Sequence, residues 1–160
     1  MCHPSEVEYP DEVLARGRHA GFPWLVIHNG LGARCGYVRV PPGHPWHGQG
    51  RPPAEAHGGI NFACPDVAGG RQDDQPGGWW VGFDTGHAWD LPDPELARRT
   101  EEGRWLLAAM ADGAARWGEL ADEANRHGLD LPRMRVRTQP YVEDQCRSLC
   151  EQAARALVGG

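Results

Sequence analysis

The character of this chain changes at Pro92-Asp93-Pro94, and the change limits the folds open to it. Ahead of it lie β-rich apolar runs, Trp24-Leu25-Val26-Ile27, Cys35 to Val40, Gly59 to Cys64 and Trp79 to Asp84, broken by Gly-, Pro- and Asn-rich segments. Behind it, Glu95 to Arg126 is rich in Ala, Leu, Glu and Arg, with Trp105, Leu106, Met110, Trp117, Leu120 and Ala124 near helical spacing. Strands followed by helices predict an α+β fold: a mainly antiparallel sheet of about four or five strands packed by a long middle helix and a C-terminal helix.

Within that frame, Asn29-Gly30-Leu31-Gly32 reads as the turn of a hairpin. Gly69 to Gly78 reads as a turn or loop between two further strands of a meander. Tyr9 to Arg18 is expected as a short helix, with Pro10 in its first turn and Gly21 near its end. The middle helix is expected whole or broken near Gly113 or Gly118, and Arg133 to Arg137 as a short strand. Thr138 opens a last helix from about Gln139 to Leu157, whose stripe is Val142, Cys146, Leu149, Ala153 and Leu157.

A chain of 160 residues suits one domain. Its formal charge of −6 disfavours a general nucleic-acid or anionic-membrane binder, since phosphate contacts need a basic surface. No apolar run reaches the ~20 residues that span a bilayer, and Cys2, Cys35, Cys64, Cys146 and Cys150 are too scattered for a disulfide framework. A cytoplasmic protein is expected. Walker, dinucleotide-binding, H-E-x-x-H and G-x-S-x-G motifs are missing. Cys146 and Cys150 lie on or beside an apolar stripe and read as small hydrophobes rather than zinc ligands.

Chemistry concentrates in Trp79-Trp80-Val81-Gly82-Phe83-Asp84-Thr85-Gly86-His87-Ala88-Trp89-Asp90. An apolar strand runs into Asp84, His87 and Asp90, three residues apart, so carboxylates and an imidazole can converge on one point. His57, ahead of Gly58-Gly59, is the natural fourth member if its strand neighbours that one. The four residues are candidate ligands of Mg²⁺, Mn²⁺ or Zn²⁺, with His57, Asp84 and His87 as catalytic groups. Their structural alternative is that both aspartates cap turns and His87 is a satisfied core histidine.

For a ligand, His44 and Trp46 on the Gly43-to-Gly48 loop, with Trp80 and Trp89, offer stacking surface, and Arg39 or the row Arg133, Arg135, Arg137 offers charge for phosphate. The same tryptophans also suit a core. His47 and Glu55 are secondary candidates.

The ordered series Gly36 to Pro41, Gly43-His44-Pro45, His57-Gly58-Gly59-Ile60-Asn61-Phe62, Trp79 to Asp84, His87 and Asp90, with Tyr141 to Glu143 and Gln145-Cys146, resembles a family of small, largely uncharacterised phage, prophage and actinobacterial proteins. Against that pattern residues 95–126 look like a helical insertion. The resemblance implies no established activity, and a phage setting implies a host-modifying or anti-defence role in the host cytoplasm. Three functions follow as expectations. One is a small metal-assisted hydrolase of phosphoester or nucleotide-like substrates; another is an inert module that sequesters a small nucleotide-like ligand. The third is a protein-interaction module that binds a host partner through its Trp-rich helix, as a monomer or an oligomer.

Overall fold

The computed structural model describes residues 12–65 and 77–159. Two antiparallel hairpins open it: β1 (Glu12–His19) pairs with β2 (Phe22–His28), which pairs with β3 (Arg34–Val40). The expected helix over Tyr9 to Arg18 is therefore a strand from Glu12 onward, and residues 9–11 lie outside the described part. The reason is at Ala20-Gly21, where both residues have positive φ, 48° and 88°, and His19 faces Phe22. Two left-handed residues make the tight turn whose twist matches a hairpin, so Gly21 turns a strand instead of ending a helix.

The hairpin expected at Asn29 to Gly32 stands, with Trp24 opposite Val38 and Ile27 opposite Cys35. β4 (Phe62–Cys64) and β5 (Trp79–Asp84) follow, giving the sheet order β1-β2-β3-β5-β4. The meander expected from the sequence is corrected here. β5 inserts between β3 and β4, and the strand expected over Gly59 to Cys64 is ordered as β only from Phe62. Most of the Gly69-to-Gly78 segment lies outside the described residues.

The helical half begins with α1 (Pro94–Ala97) and α2 (Glu101–Arg126). The break falls at residues 98–100 rather than at Gly113 or Gly118. Asp93 caps α1 through the amides of Glu95 and Leu96, and Thr100 caps α2 through Gly103 N, so side-chain oxygens satisfy the free amides of both starts. Beyond α2, β6 (Asp90–Leu91) pairs in parallel with β7 (Arg135–Val136), and α3 (Gln139–Val158) closes the fold. Thr138 sits at the N-cap of α3 without a side-chain capping bond.

α3 packs on β2 and β3 and supplies the core stripe: Val142, Cys146, Leu149, Cys150 and Ala153 are fully buried against Val26, Val38, Val81 and Phe83. Leu157 leaves that stripe and is exposed. Gly36 makes the close approach possible, because a Cβ there would lie 2.5 Å from Phe83 and 2.7 Å from Cys146. Leu25, Ile27 and Trp80 fill a smaller cluster with Val13, Tyr37 and Phe62. α2 instead presents most of its length to solvent, with only Gly103 and Ala121 buried. Cys35, Cys146 and Cys150 are outside any disulfide, while Cys64 is disulfide-bonded. Burial pushes the Cys146 thiol up, and that of Cys150 up to about 12, as expected of small hydrophobes rather than ligands. Among the described residues no helix is long and apolar enough to cross a membrane.

Two histidines belong to this scaffold. His44 Nδ1 accepts from Trp46 N at 3.0 Å, and His28 Nε2 accepts from Gly32 N at 3.0 Å, so each needs an unprotonated nitrogen. Burial pushes both imidazoles below the ordinary histidine value, against the upward pull of the Ala153 carbonyl on His44 and of Glu12 on His28. An unfolded histidine titrates near ~6.5, so just below that pH the unfolded chain binds more protons than the folded one. Stability from these groups is complete above about pH 6.5 and is lost as pH falls toward their lowered folded values. The denaturation midpoint should therefore drop between about pH 7.5 and pH 5, and His44→Asn, which keeps an acceptor but does not titrate, should flatten part of that slope. A wild-type midpoint constant over the interval would contradict the assignment.

Candidate metal centre

Three elements bring the expected residues together. β5 ends at Asp84, and Thr85 anchors the following turn by its N and Oγ1 to the Arg34 carbonyl at 3.1 and 3.0 Å. The turn from His87 to Asp90 closes with Asp90 N donating to His87 O at 2.9 Å, which sets both side chains on one side. The parallel pairing of β6 with β7 then places Arg137 beside Asp90.

His57 arrives from the long loop after β3, and that loop is tied down by α3. Gln152 Nε2 donates to Glu55 O and its Oε1 accepts from Glu55 N, at 2.7 and 2.8 Å. Gln145 Oε1 accepts from His57 N at 3.0 Å, and His44 Nε2 meets the Ala153 carbonyl at 3.0 Å. Tyr141, Gln145 and Gln152 thus form a polar row beside the apolar stripe of one helix, at spacings of four and seven, and this row fixes the histidine loop. The adjacency of His57 to the β5 end comes from these bonds, not from strand pairing.

Asp90 is the centre of the cluster. Its side chain is wholly buried; Oδ2 accepts from His57 Nε2 at 2.7 Å, His87 Nδ1 at 3.1 Å and His87 N at 3.2 Å, and Oδ1 accepts from Arg137 Nε at 2.7 Å. Burial alone pushes the Asp90 carboxyl up, but the bonds from Arg137, His57 and His87 outweigh it and hold the group below the usual carboxylate range. His57 Nδ1 lies 3.0 Å from Tyr141 Oη, and Arg137 lies 5.3 Å over the Tyr141 ring. His87 stacks on Trp89 with centroids 5.4 Å apart and planes 6° apart. Gly58 is required beneath His87: its φ is +68°, and a Cβ there would lie 2.0 Å from the imidazole.

His57, His87 and Asp90 each offer a ligand atom, all within 4.8 Å of one another, so this group can hold a metal ion. A tetrahedral ion with bonds of about 2.0–2.1 Å spaces its ligand atoms by ~3.4 Å, which asks the present 2.7 and 3.1 Å contacts to open only slightly. Tyr141 then stands where outer partners of ligating histidines stand, fixing the ring and its tautomer.

Asp84, the fourth expected ligand, is set back. Its Oδ1 accepts from Gly86 N at 2.8 Å and lies 3.9 Å from His87 Nδ1, while Oδ2 accepts from Asn61. Of the expected ligand-binding residues, Trp89 lies at the cluster and is half exposed. Trp46 and Trp80 are core side chains, 2% and 4% exposed, and His44 is buried between Trp46 N and Ala153 O, so none of these three presents a face for stacking. Arg39 lies against Gly78, and His47 meets the Gly77 carbonyl.

Tyr141 and Gln145 carry roles that spacing alone does not reveal, since each acts across more than 80 positions of chain. Arg137 was legible only as one of three alternating arginines. Alternation puts all three on one face and does not separate them; the surroundings do, since Arg137 is partly buried on Asp90 while Arg133 pairs with Asp122 at the surface.

A cleft of about 520 Å³ with mixed polar and apolar lining, including Arg51, Pro53, Ala54, Gly59, Ile60 and Asn61, opens on the His57-Gly58-Gly59 turn. An apolar cleft of about 410 Å³ opens on the other flank, at Trp89. A scan against protein-family models and searches of curated proteins and solved structures each return no match to this chain.

Proposed function

We propose that the protein is a small metal-assisted hydrolase, with His57 Nε2, His87 Nδ1 and Asp90 Oδ2 holding a divalent ion. The observation that carries this reading is the convergence of one ligand atom from each of these three residues within 4.8 Å, with Tyr141 backing His57. Three protein ligands, two imidazoles and a carboxylate, leave a fourth position for water, the pattern of catalytic rather than structural zinc sites. Mn²⁺ suits the same nitrogen and oxygen donors, whereas Mg²⁺ prefers all-oxygen shells.

A bound ion of this kind lowers the pKa of its water and supplies a hydroxide near neutral pH. His57, His87 and Asp90 would hold the ion, Tyr141 would fix the His57 ring, and the net reaction would be hydrolysis of an ester, in which the oxygen of water joins the phosphorus or carbonyl carbon and the leaving oxygen takes up a proton. With a divalent ion, Asp90 and two neutral histidines would leave one net positive charge while water is bound and none once it is deprotonated, so Arg137 on Asp90 would supply the positive charge beside the centre. This balance favours an anionic substrate such as a phosphoester.

Metal-stripped protein titrated with Zn²⁺ and Mn²⁺ in a calorimeter should take up one equivalent, and His57→Ala or His87→Ala should abolish uptake while the fold persists. Tyr141→Phe should weaken binding by about 10–100-fold through loss of the outer partner. Loaded protein should hydrolyse 4-nitrophenyl phosphate faster than the His87→Ala variant. Absence of stoichiometric metal in wild type overturns the reading.

A second reading has an observation of its own. Asp90 holds His87 by Nδ1, which leaves Nε2 as a base without any metal. Turnover by metal-free protein, lost in His87→Ala, would select it.

A further inference from the structure

We infer that the apolar cleft between α2 and the Trp89 segment is the subsite for an apolar, ring-sized group of the substrate, an aryl or short acyl moiety rather than a nucleobase. The inference rests on the metal-hydrolase reading for the reaction but on separate residues for binding. The cleft is lined by Trp89, Gly113, Trp117, Leu131, Pro132 and Met134, and its volume of about 410 Å³ lies at the small end of ligand pockets, which run from roughly 300 to 1,000 Å³.

Its position connects it to the centre. Trp89 lines the cleft and also stacks on His87, so the cleft and the cluster share this indole as a neighbour. A group seated there brings the bond attached to it toward the His57, His87 and Asp90 atoms, and remote binding energy of this kind orients the reacting centre.

Its chemistry selects the occupant. Every lining residue is apolar, Pro132 has no N–H, and Trp117 spends its indole N–H on the Pro132 carbonyl at 2.9 Å. A nucleobase would bury amide and ring-nitrogen groups here with too few partners, which costs binding, whereas an aryl ring or the hydrocarbon tail of an acyl group has no polar atom to leave unpaired. That same bond holds Trp117 against the opposite wall, and Arg133 bridges to Asp122 across the same two segments, so the cleft is built before a ligand arrives.

Gly113 accounts for the opening. It sits in the middle of a 26-residue helix, where glycine is a poor choice, and a Cβ placed on it meets nothing within 4 Å. Gly113 lines the cleft and has room for a Cβ, so a larger side chain there would take up cleft space.

The test titrates the 160-residue protein with 2-naphthol, with adenosine and with inorganic phosphate by calorimetry, with and without Zn²⁺, using wild type and Gly113→Leu. Naphthol should bind wild type in both metal states and weaken at least ten-fold in Gly113→Leu, adenosine should bind more weakly than naphthol, and phosphate binding should be the same in the two proteins. Thermal melting should show the variant no less stable than wild type, because leucine favours the helix. Naphthol binding that is absent, or equal in the two proteins, overturns the subsite, as does tighter binding of adenosine. Naphthol binding lost in Gly113→Leu without any uptake of Zn²⁺ upholds the subsite and overturns the hydrolase reading alone.

Discussion

Asp90→Ala should cost the fold about 3 kcal/mol, the low end of what removing one member of a buried ion pair costs. The substitution deletes the acceptor of four bonds, from His57 Nε2, His87 Nδ1, His87 N and Arg137 Nε, at a side chain with no exposure. Arg137 is 22% exposed and recovers some hydration, which is why the low end applies. Asp90→Asn keeps the shape and one acceptor, so it should cost less than the alanine variant while still losing metal uptake. Guanidinium unfolding of the three proteins in metal-free buffer measures the first effect, and calorimetric titration the second. An alanine variant within about 0.5 kcal/mol of wild type, the range of neutral surface changes, would mean that the cluster is not assembled as described.

Trp46→Ala should be as damaging or more so, at about 3–5 kcal/mol, the usual cost of emptying a buried aromatic site. Trp46 is 2% exposed, the largest of the fully buried side chains, and its ring meets His44 edge-on with centroids 5.4 Å apart. It belongs to the main core with Phe22, Val40 and Leu149, and the His44 bond to Ala153 fastens its loop to α3. The loss should appear entirely as stability, with metal uptake by the folded fraction unchanged. A small change in stability accompanied by lost ligand binding would return Trp46 to the ligand-stacking role that its loop sequence suggests.

The contrast between Trp46 and Trp89 shows where residue-level reading stops. Both are tryptophans beside histidines in glycine-containing loops, and nothing local separates them. Their fates differ because α3 pulls the first loop down onto the sheet, while the second turn is held at its ends by Thr85 and by the β6–β7 pair and leaves its indole half exposed. The H-x-x-D spacing, by comparison, was legible. His87 and Asp90 share a side because a short turn offers them no other arrangement, whichever elements surround it.

Asp84 lies on the same turn and was an equally good ligand by spacing. Gly86 N and Asn61 instead occupy its oxygens, and Asn61 reaches it only because β4 runs beside β5. The short N-terminal helix failed for a related reason. Weak local helix signals yielded to the antiparallel pairing of β1 with β2, where alternate residues of this edge strand exchange ladder bonds and the Ala20-Gly21 turn supplies two left-handed residues.

By itself the sequence determined the α+β class, the Asn29-to-Gly32 hairpin, the β5 strand, the α3 stripe and the His87–Asp90 pair. Each of these is set by neighbours within one or two turns of chain, through periodicity, turn chemistry or capping. Tertiary structure alone decided the insertion of β5 between β3 and β4, the arrival of His57, Tyr141 and Arg137 at Asp90, and the opening of the cleft at Gly113. Those depend on contacts between segments 33 to 84 positions apart at the cluster, and no local propensity encodes which polar side chain will meet a buried carboxylate. The reason is that burial of Asp90 is tolerable only when distant donors satisfy it, so the site and the packing of α3 form together.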